Sequence, residues 1–236
     1  SLNKKVMILN VTSDKVYRNS ESLKPFTEDS ELGGLDPYSC SKSCAELISH
    51  SFFDTYVNKL KLTELSIANL RAGNVIGGGD FGENRIIPDI YRTIQSGKPL
   101  ELRMPNAIRP WQHVLDCLSG YLHALSFIAS SKKSISMNFN VGPQDTEKFT
   151  VLEICQRAQK WFPSLSYNIN SQVVAETKVL LLESTLLSQS TGWKPLYSTP
   201  EAIDQTLKWY HDYDKGHLAS DLMDKEIKDY LKNTDW

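Results

Sequence analysis

Five residues have types and spacing that could do chemistry. Ser13, Asp14 and Lys15 stand together in NVTSDKVY, just past the apolar run VMIL, and Tyr38 and Lys42 stand four apart in PYSCSK. Of the ten tyrosines, only Tyr38 has a lysine four residues on. On a helix, such a pair shares one face, and a nearby ammonium favours the phenolate. A tyrosinate can then take a proton from a substrate hydroxyl while hydride leaves the same carbon. The same spacing also suits an ordinary surface helix, and Asp14–Lys15 also suits a solvated turn. Placement favours the chemical reading: hydroxyl-bearing Thr12 and Ser13 lie at a strand end, where ligands bind in open α/β sheets.

These residues need a strand and a helix to position them. Val6–Val11 is a continuous apolar run, as in a parallel strand covered on both faces. Asp36 and Pro37 read as N-cap and first residue of a helix. The helix is predicted over about 37–60, with Ala45, Ile48, Phe52 and Tyr56 at the helical period. Further along, strands are predicted at 65–70, 100–104 and 137–141. Helices are predicted at 88–95, 114–129, from a Thr150/Glu153 capping box to about Trp161, and from Thr199-Pro200-Glu201 through Trp209. The last twenty residues read as a solvated helix. This alternation is that of α/β architecture.

Other stretches carry less. GGGDFG, residues 77–82, matches the spacing of a dinucleotide loop. A phosphate cradle runs straight into its helix, whereas Glu83-Asn84-Arg85 intervene here, so the stretch reads as a turning loop with a substrate contact open to it. Arg85, Arg103 and Arg109 offer the planar donors that suit phosphate oxygens, although scattered arginines are mostly surface residues. His113, in AIRPWQHV, fits a core or supporting role as well as a catalytic one.

The composition excludes some classes. A chain of 236 residues with 40% hydrophobic content suits one large or two small globular domains. A net charge of -2 gives no electrostatic case for nucleic acid or an anionic membrane. No apolar run approaches the roughly 20 residues of a membrane span. The four cysteines have no CxxC pair or zinc-ligand spacing, so no metal site is expected, and reduced thiols of a cytoplasmic protein are the simplest account. Cys40 and Cys44 read as small core residues one turn apart.

Together TSDKVY, DPYSCSKSCAE, LRAGNVIGGGD, NRIIPDI, AIRPWQHVLDCLSGYL and FNVGP resemble the extended short-chain dehydrogenase/reductase family of nucleotide-sugar dehydratases and epimerases. The motifs are collinear over almost the whole chain. SDK followed by RPWQHV points to the branch acting on CDP-glucose, since dehydratases of other nucleotides usually carry Asp-Glu where this chain has Asp14-Lys15. The resemblance implies dehydration of CDP-glucose to CDP-4-keto-6-deoxyglucose with bound NAD. It implies that Ser13 hydrogen-bonds the sugar 4-hydroxyl, that Tyr38 removes its proton as hydride passes to NAD, and that Lys42 orients the nicotinamide ribose. Asp14 would protonate the leaving 6-hydroxyl, and Lys15 would remove the C5 proton. A lysine base must be neutral, which desolvation or a neighbouring cation such as Lys42 would favour. Val75 would join Tyr38 and Lys42 at the cofactor, and Asn74, Arg85, Arg103 and Arg109 would hold the nucleotide-diphosphate sugar. A homodimer through the Tyr38 helix is implied as well.

The expected fold is the C-terminal portion of a Rossmann-type parallel sheet plus a smaller substrate-binding α/β domain. Residues 1–74 and 113–142 are assigned to the NAD-binding domain, and 75–112 and 143–236 to the nucleotide-sugar-binding domain. The family's first strands, glycine-rich loop and adenosine-ribose acid would precede Val6. The chain therefore reads as an N-terminally truncated piece, inactive alone, with the NAD-binding half largely missing. Two alternatives stay open: another nucleotide-sugar dehydratase or epimerase, and an inactive homologue kept for binding or assembly.

Overall fold

The computed structural model describes residues 4–19, 21–61, 64–144, 148–170 and 178–234. In chain order, β1 is Val6–Val11, α1 Pro37–Phe52, β2 Leu65–Ala72, β3 Asn74–Ile76, α2 Ile86–Ser96, β4 Leu100–Leu102 and β5 Trp111–His113. Then α3 is Val114–Ser130, β6 Ser136–Val141, α4 Val151–Trp161, β7 Tyr167–Ile169, α5 Thr185–Thr191, α6 Thr199–Asp214 and α7 Ala219–Lys232. A single 3₁₀ turn, Asp14–Val16, follows β1, and a π-helical segment, Phe53–Lys59, continues α1. The chain forms two compact units, 1–73 with 117–144 and 180–195, and 74–116 with 145–179 and 196–236.

The first unit holds a three-stranded parallel sheet in the order β1-β2-β6. Every residue of β2 is buried, as its apolar run on a central strand demands. Asn10, Asn69 and Asn138 are partners across the three strands. Their side chains form a ladder, Asn10 to Asn69 at 2.8 Å and Asn69 to Asn138 at 2.9 Å, and a one-residue slip would break it. β1 is an edge strand, and Met7, Ile8 and Val11 are exposed rather than covered on both faces. The core joins Ala68, Leu70, Phe139 and Val141 of the sheet to Ala124 and Ile128 of α3. Leu187 and Trp193 complete it, so residues 180–195, assigned from sequence to the second domain, pack in the first unit.

Asp36 caps α1 as expected, its carboxylate accepting from the Ser39 N–H at 3.0 Å. The α-helix ends at Phe52, and the Leu60 N–H then bonds five residues back to the Thr55 carbonyl at 3.1 Å, a π-type closure. The expected apolar stripe faces out: Ile48, Phe52 and Tyr56 are exposed, while Ser39, Ser43 and Glu46 point inward. Cys40 and Cys44 share the outward face and are exposed, not core residues. The interior partners described below explain the inversion.

The second unit pairs β3 with β5 and β4 with β7, both parallel. Its core collects Trp111, Phe162, Trp209 and Tyr210 with Ile87, Ile90, Ile154 and Ile203. Both N-terminal signals hold: Thr150 and Glu153 form a capping box for α4, and Ser198 and Glu201 one for α6. α7 is not simply solvated, because Tyr230 is buried and its hydroxyl donates to Asp116 at 2.8 Å. Among the described residues, no helix is long and apolar enough to cross a membrane.

Candidate active site

The end of β1 delivers Thr12, Ser13 and Asp14 to the carboxyl edge of the sheet, and all three are buried. Ser13 caps the 3₁₀ turn: its hydroxyl accepts from the Lys15 N–H at 3.2 Å and donates to Asp14 Oδ1 at 2.9 Å. The turn leaves the Lys15 side chain outside while Asp14 stays within.

α1 supplies the other half. Its start is crowded against the preceding segment, and a Cβ on Gly34 would lie 2.0 Å from the Ser39 Cβ, so only glycine fits there. Tyr38, in the first turn, is 51% exposed, which leaves its phenol open to a ligand. Lys15 Nζ lies 5.9 Å from the Tyr38 ring centroid and Lys42 Nζ 6.0 Å from it. Two ammonium groups therefore lie about 6 Å from one phenol ring. Lys42 Nζ also donates to the Val11 carbonyl at 3.3 Å, which ties it to the last residue of β1. Of the two supports expected for a neutral Lys15, burial is absent, since Lys15 is exposed. Ser13, Asp14, Lys15, Tyr38 and Lys42 are thus brought together within the first unit.

The remaining expected residues lie in the second unit. Asn74 and Val75 are in β3, opposite Trp111 and Gln112, and the Asn74 N–H donates to the Pro110 carbonyl at 3.1 Å. Arg109 precedes that pairing and donates from Nη1 to the carbonyls of Ile108 and Lys178, at 2.9 and 3.3 Å. Arg85 stands at the N-cap position of α2, and its side chain pairs with Asp80 at 2.8 Å. Arg103 is exposed just past β4. His113 is fully buried, and its Nε2 lies 3.2 Å from Glu226 Oε1, which suits a supporting role in the unit's interior.

GGGDFG is a packing loop. A Cβ on Gly78 would lie 2.1 Å from Cγ of Trp209, so the backbone lies directly against the indole. Asp80 accepts from the Gly82 N–H at 2.8 Å and from Arg85. Burial pushes the Asp80 carboxyl up, but the Arg85 hydrogen bond and the Gly82 N–H outweigh it and hold it below the ordinary range.

Sequence reasoning missed a buried polar network beside the cluster. Glu46 and Arg71 form an ion pair with side chains 0% and 1% exposed. Arg71 Nε lies 3.0 Å from each Glu46 oxygen, and Nη2 lies 2.5 Å from Oε2. Arg71 Nη1 donates to the Tyr17 hydroxyl at 2.9 Å, and that hydroxyl donates to Asn140 Oδ1 at 2.5 Å. Burial pushes the Tyr17 phenol up to about 12 despite the opposing Arg71 charge. Burial works against the Arg71 charge too, yet the Glu46 hydrogen bond raises it further above its ordinary value. The available signal was the continuation of Tyr38 and Lys42 to Glu46 at the same four-residue step.

A model of the NAD dependent epimerase/dehydratase family matches residues 2–142. CDP-glucose 4,6-dehydratase from Salmonella typhimurium is 34% identical over 231 residues, which cover 96% of this chain and 64% of that protein. A dTDP-glucose 4,6-dehydratase from Bacillus anthracis, solved in complex with NAD, superposes with a TM-score of 0.71 at 22% identity. It matches 88% of this chain and 62% of its own. A UDP-glucuronic acid 4-epimerase from Bacillus cereus, solved with UDP-glucuronic acid and NAD, gives 0.74 at 20%, covering 90% and 63%. The chain spans less than two thirds of the length of each of these proteins.

Proposed function

The chain belongs to the NAD dependent epimerase/dehydratase family, and on that premise we propose that its site serves the dehydration of CDP-glucose to CDP-4-keto-6-deoxyglucose. The observation that carries this reading is the placement of Lys15. Its Nζ lies 5.9 Å from the Tyr38 ring centroid, at about the distance of the Lys42 Nζ, although Lys15 is exposed. The similarity to a CDP-glucose 4,6-dehydratase over 96% of the chain supports the choice of nucleotide.

The residues present fit the nicotinamide end of NAD. Tyr38 and Lys42 stand exposed and half-exposed on one helix face at the carboxyl edge of a parallel sheet, where dinucleotides lie in such folds. Tyr38, Lys42 and Val75 are the residues proposed to contact it. Bound NAD would supply the hydride acceptor and, once reduced, the donor. Tyr38 takes the proton of the sugar 4-hydroxyl. Ser13 orients that hydroxyl, Asp14 carries a proton to the leaving 6-hydroxyl, and Lys15 removes the proton at C5. Asn74, Arg85, Arg103 and Arg109 are proposed to hold the nucleotide diphosphate. A second copy is proposed to cover the outward face of α1, where Leu47, Ile48, Phe52 and Tyr56 are exposed.

The test is turnover of CDP-, UDP-, GDP- and dTDP-glucose with NAD by a protein completed to the length of these relatives, followed by assay of the 4-keto product. The expected result is product from CDP-glucose; equal turnover of dTDP-glucose would overturn the assigned nucleotide. In that completed enzyme, Lys15→Met should stop dehydration while leaving partial reduction of NAD. Solvent-deuterium exchange at C5 that persists unchanged in that variant would remove Lys15 from its role.

A further inference from the structure

We infer that Glu46 and Arg71, with Thr12 as the link, are positioning residues that set the strand end carrying Ser13–Lys15 against the helix carrying Tyr38 and Lys42. The inference rests on the proposed role of those five residues. Tyr38, Lys42 and Glu46 follow one another at four-residue steps, so they descend one face of α1. The face starts in solvent at Tyr38 and ends in the interior at Glu46, which is 0% exposed.

Three side chains on α1 reach residues that bracket Ser13–Lys15 on both sides. Lys42 Nζ donates to the Val11 carbonyl at 3.3 Å. The Ser43 hydroxyl donates to the Val16 carbonyl at 2.8 Å. Glu46 Oε1 accepts from the Thr12 hydroxyl at 2.6 Å, one residue before Ser13. Arg71 holds the Glu46 carboxylate through three contacts of 2.5–3.0 Å, so the acceptor that Thr12 meets is itself fixed. Arg71 projects from β2, the central strand, which makes the sheet the reference frame for both halves of the site. A buried ion pair is a poor stabiliser compared with apolar residues of the same volume. Its directed, bidentate geometry is suited instead to fixing orientation. Misplacing a reacting group by about 1 Å can cost on the order of a hundredfold in rate.

Thr12→Val tests the link, because it removes one hydroxyl and keeps the shape. The full chain would be labelled at the tyrosine ζ-carbon, with Tyr38→Phe assigning the Tyr38 resonance. Thr12→Val should move that resonance and lower kcat for CDP-glucose roughly tenfold, with KM changed less than twofold. Thr12→Ser should restore both. An unmoved Tyr38 resonance in Thr12→Val would overturn the inference, whatever the turnover. The resonance reports geometry without catalysis, so it decides the positioning role even where turnover is absent. Full activity in Tyr38→Phe would sink the proposed active site and leave the positioning result standing on its own.

Discussion

α1 and α6 are both sixteen residues long, both are capped at the N-terminus, and they are packed in opposite ways. α6 buries Ala202, Ile203, Leu207, Trp209 and Tyr210 with two threonines. α1 buries Ser39, Ser43 and Glu46 and turns Leu47, Ile48 and Phe52 outward. The second unit holds its helix mainly by apolar packing, which is non-directional and tolerant of small shifts, beside side-chain bonds such as Thr199 to the Trp111 carbonyl. The first unit holds its helix by directed hydrogen bonds to Val11, Thr12, Val16 and Arg71. The contrast teaches that α1, which on the proposed role presents Tyr38 and Lys42, is anchored by bonds with a direction, and its apolar residues are left for the other side.

The largest expected effect tests that anchoring directly. Glu46→Ala leaves the Arg71 guanidinium buried without its carboxylate and should destabilise the first unit by about 3–5 kcal/mol. Glu46→Leu combined with Arg71→Met should recover most of that stability in urea denaturation. If the double variant regains stability but turns over CDP-glucose more slowly than the parent, stability and positioning separate. A single variant that costs less than about 1 kcal/mol would break the contrast.

The matching experiment on α6 is Ile203→Ala. Ile203 is 0% exposed in the aromatic core, and its truncation should cost about 2–5 kcal/mol through lost burial and the cavity left behind. No polar partner is orphaned, so a compensating second substitution should do little. Recovery by a distant polar change would show that directed bonds, not apolar packing, dominate α6 too.

The same contrast explains what could be read from sequence. Caps were legible because they depend on residues three apart: Asp36 to Ser39, Thr150 to Glu153. β1 was legible because an apolar run of four residues, Val6–Leu9, stops at Asn10 just before Thr12 and Ser13. The five residues at the strand end and helix start were also legible, from spacing and from resemblance. The inward face of α1 was not, because periodicity marks which residues are apolar and not which side is covered. Glu46 reads as a surface residue until Arg71, twenty-five positions later, is brought against it. The short strands β3, β5 and β7 carry only three residues each, too few for any period to show. Residues 180–195 joined the first unit through Leu187 and Trp193, a long-range contact with no local signal.

A smaller effect compares the two helix starts. Asp36→Ala should cost about 1 kcal/mol at neutral pH by removing the cap. The Ser39 hydroxyl, then the Ser39 N–H, hold the Asp36 carboxyl below its ordinary 3.8. A carboxyl lowered on folding stabilises above its unfolded value, and that contribution is lost as pH falls through the lower folded value. The difference between parent and variant should therefore be full at pH 6 and shrink below about pH 4. Glu201 at the start of α6 is lowered by Ser198 in the same way, so the two helices should behave alike here. A cap difference that grows on acidification would contradict both assignments.

The smallest effect on stability has the most to say about the outward face of α1. Ile48 is 68% exposed, and isoleucine and serine have similar helix propensities. Ile48→Ser should therefore change the stability of the isolated chain by no more than about 0.5 kcal/mol. Its effect on association should be much larger if a second copy covers this face, because Leu47, Ile48, Phe52 and Tyr56 would then lie at the centre of the contact. Sedimentation equilibrium should show the dimer weakened roughly tenfold or more, the equivalent of about 1.4 kcal/mol. A chain that stays monomeric with and without the substitution would sink the proposed dimer and leave the inverted helix intact. A monomer that loses more than about 1 kcal/mol would do the reverse, since Ile48 would then be packed inward and the contrast between α1 and α6 would fail.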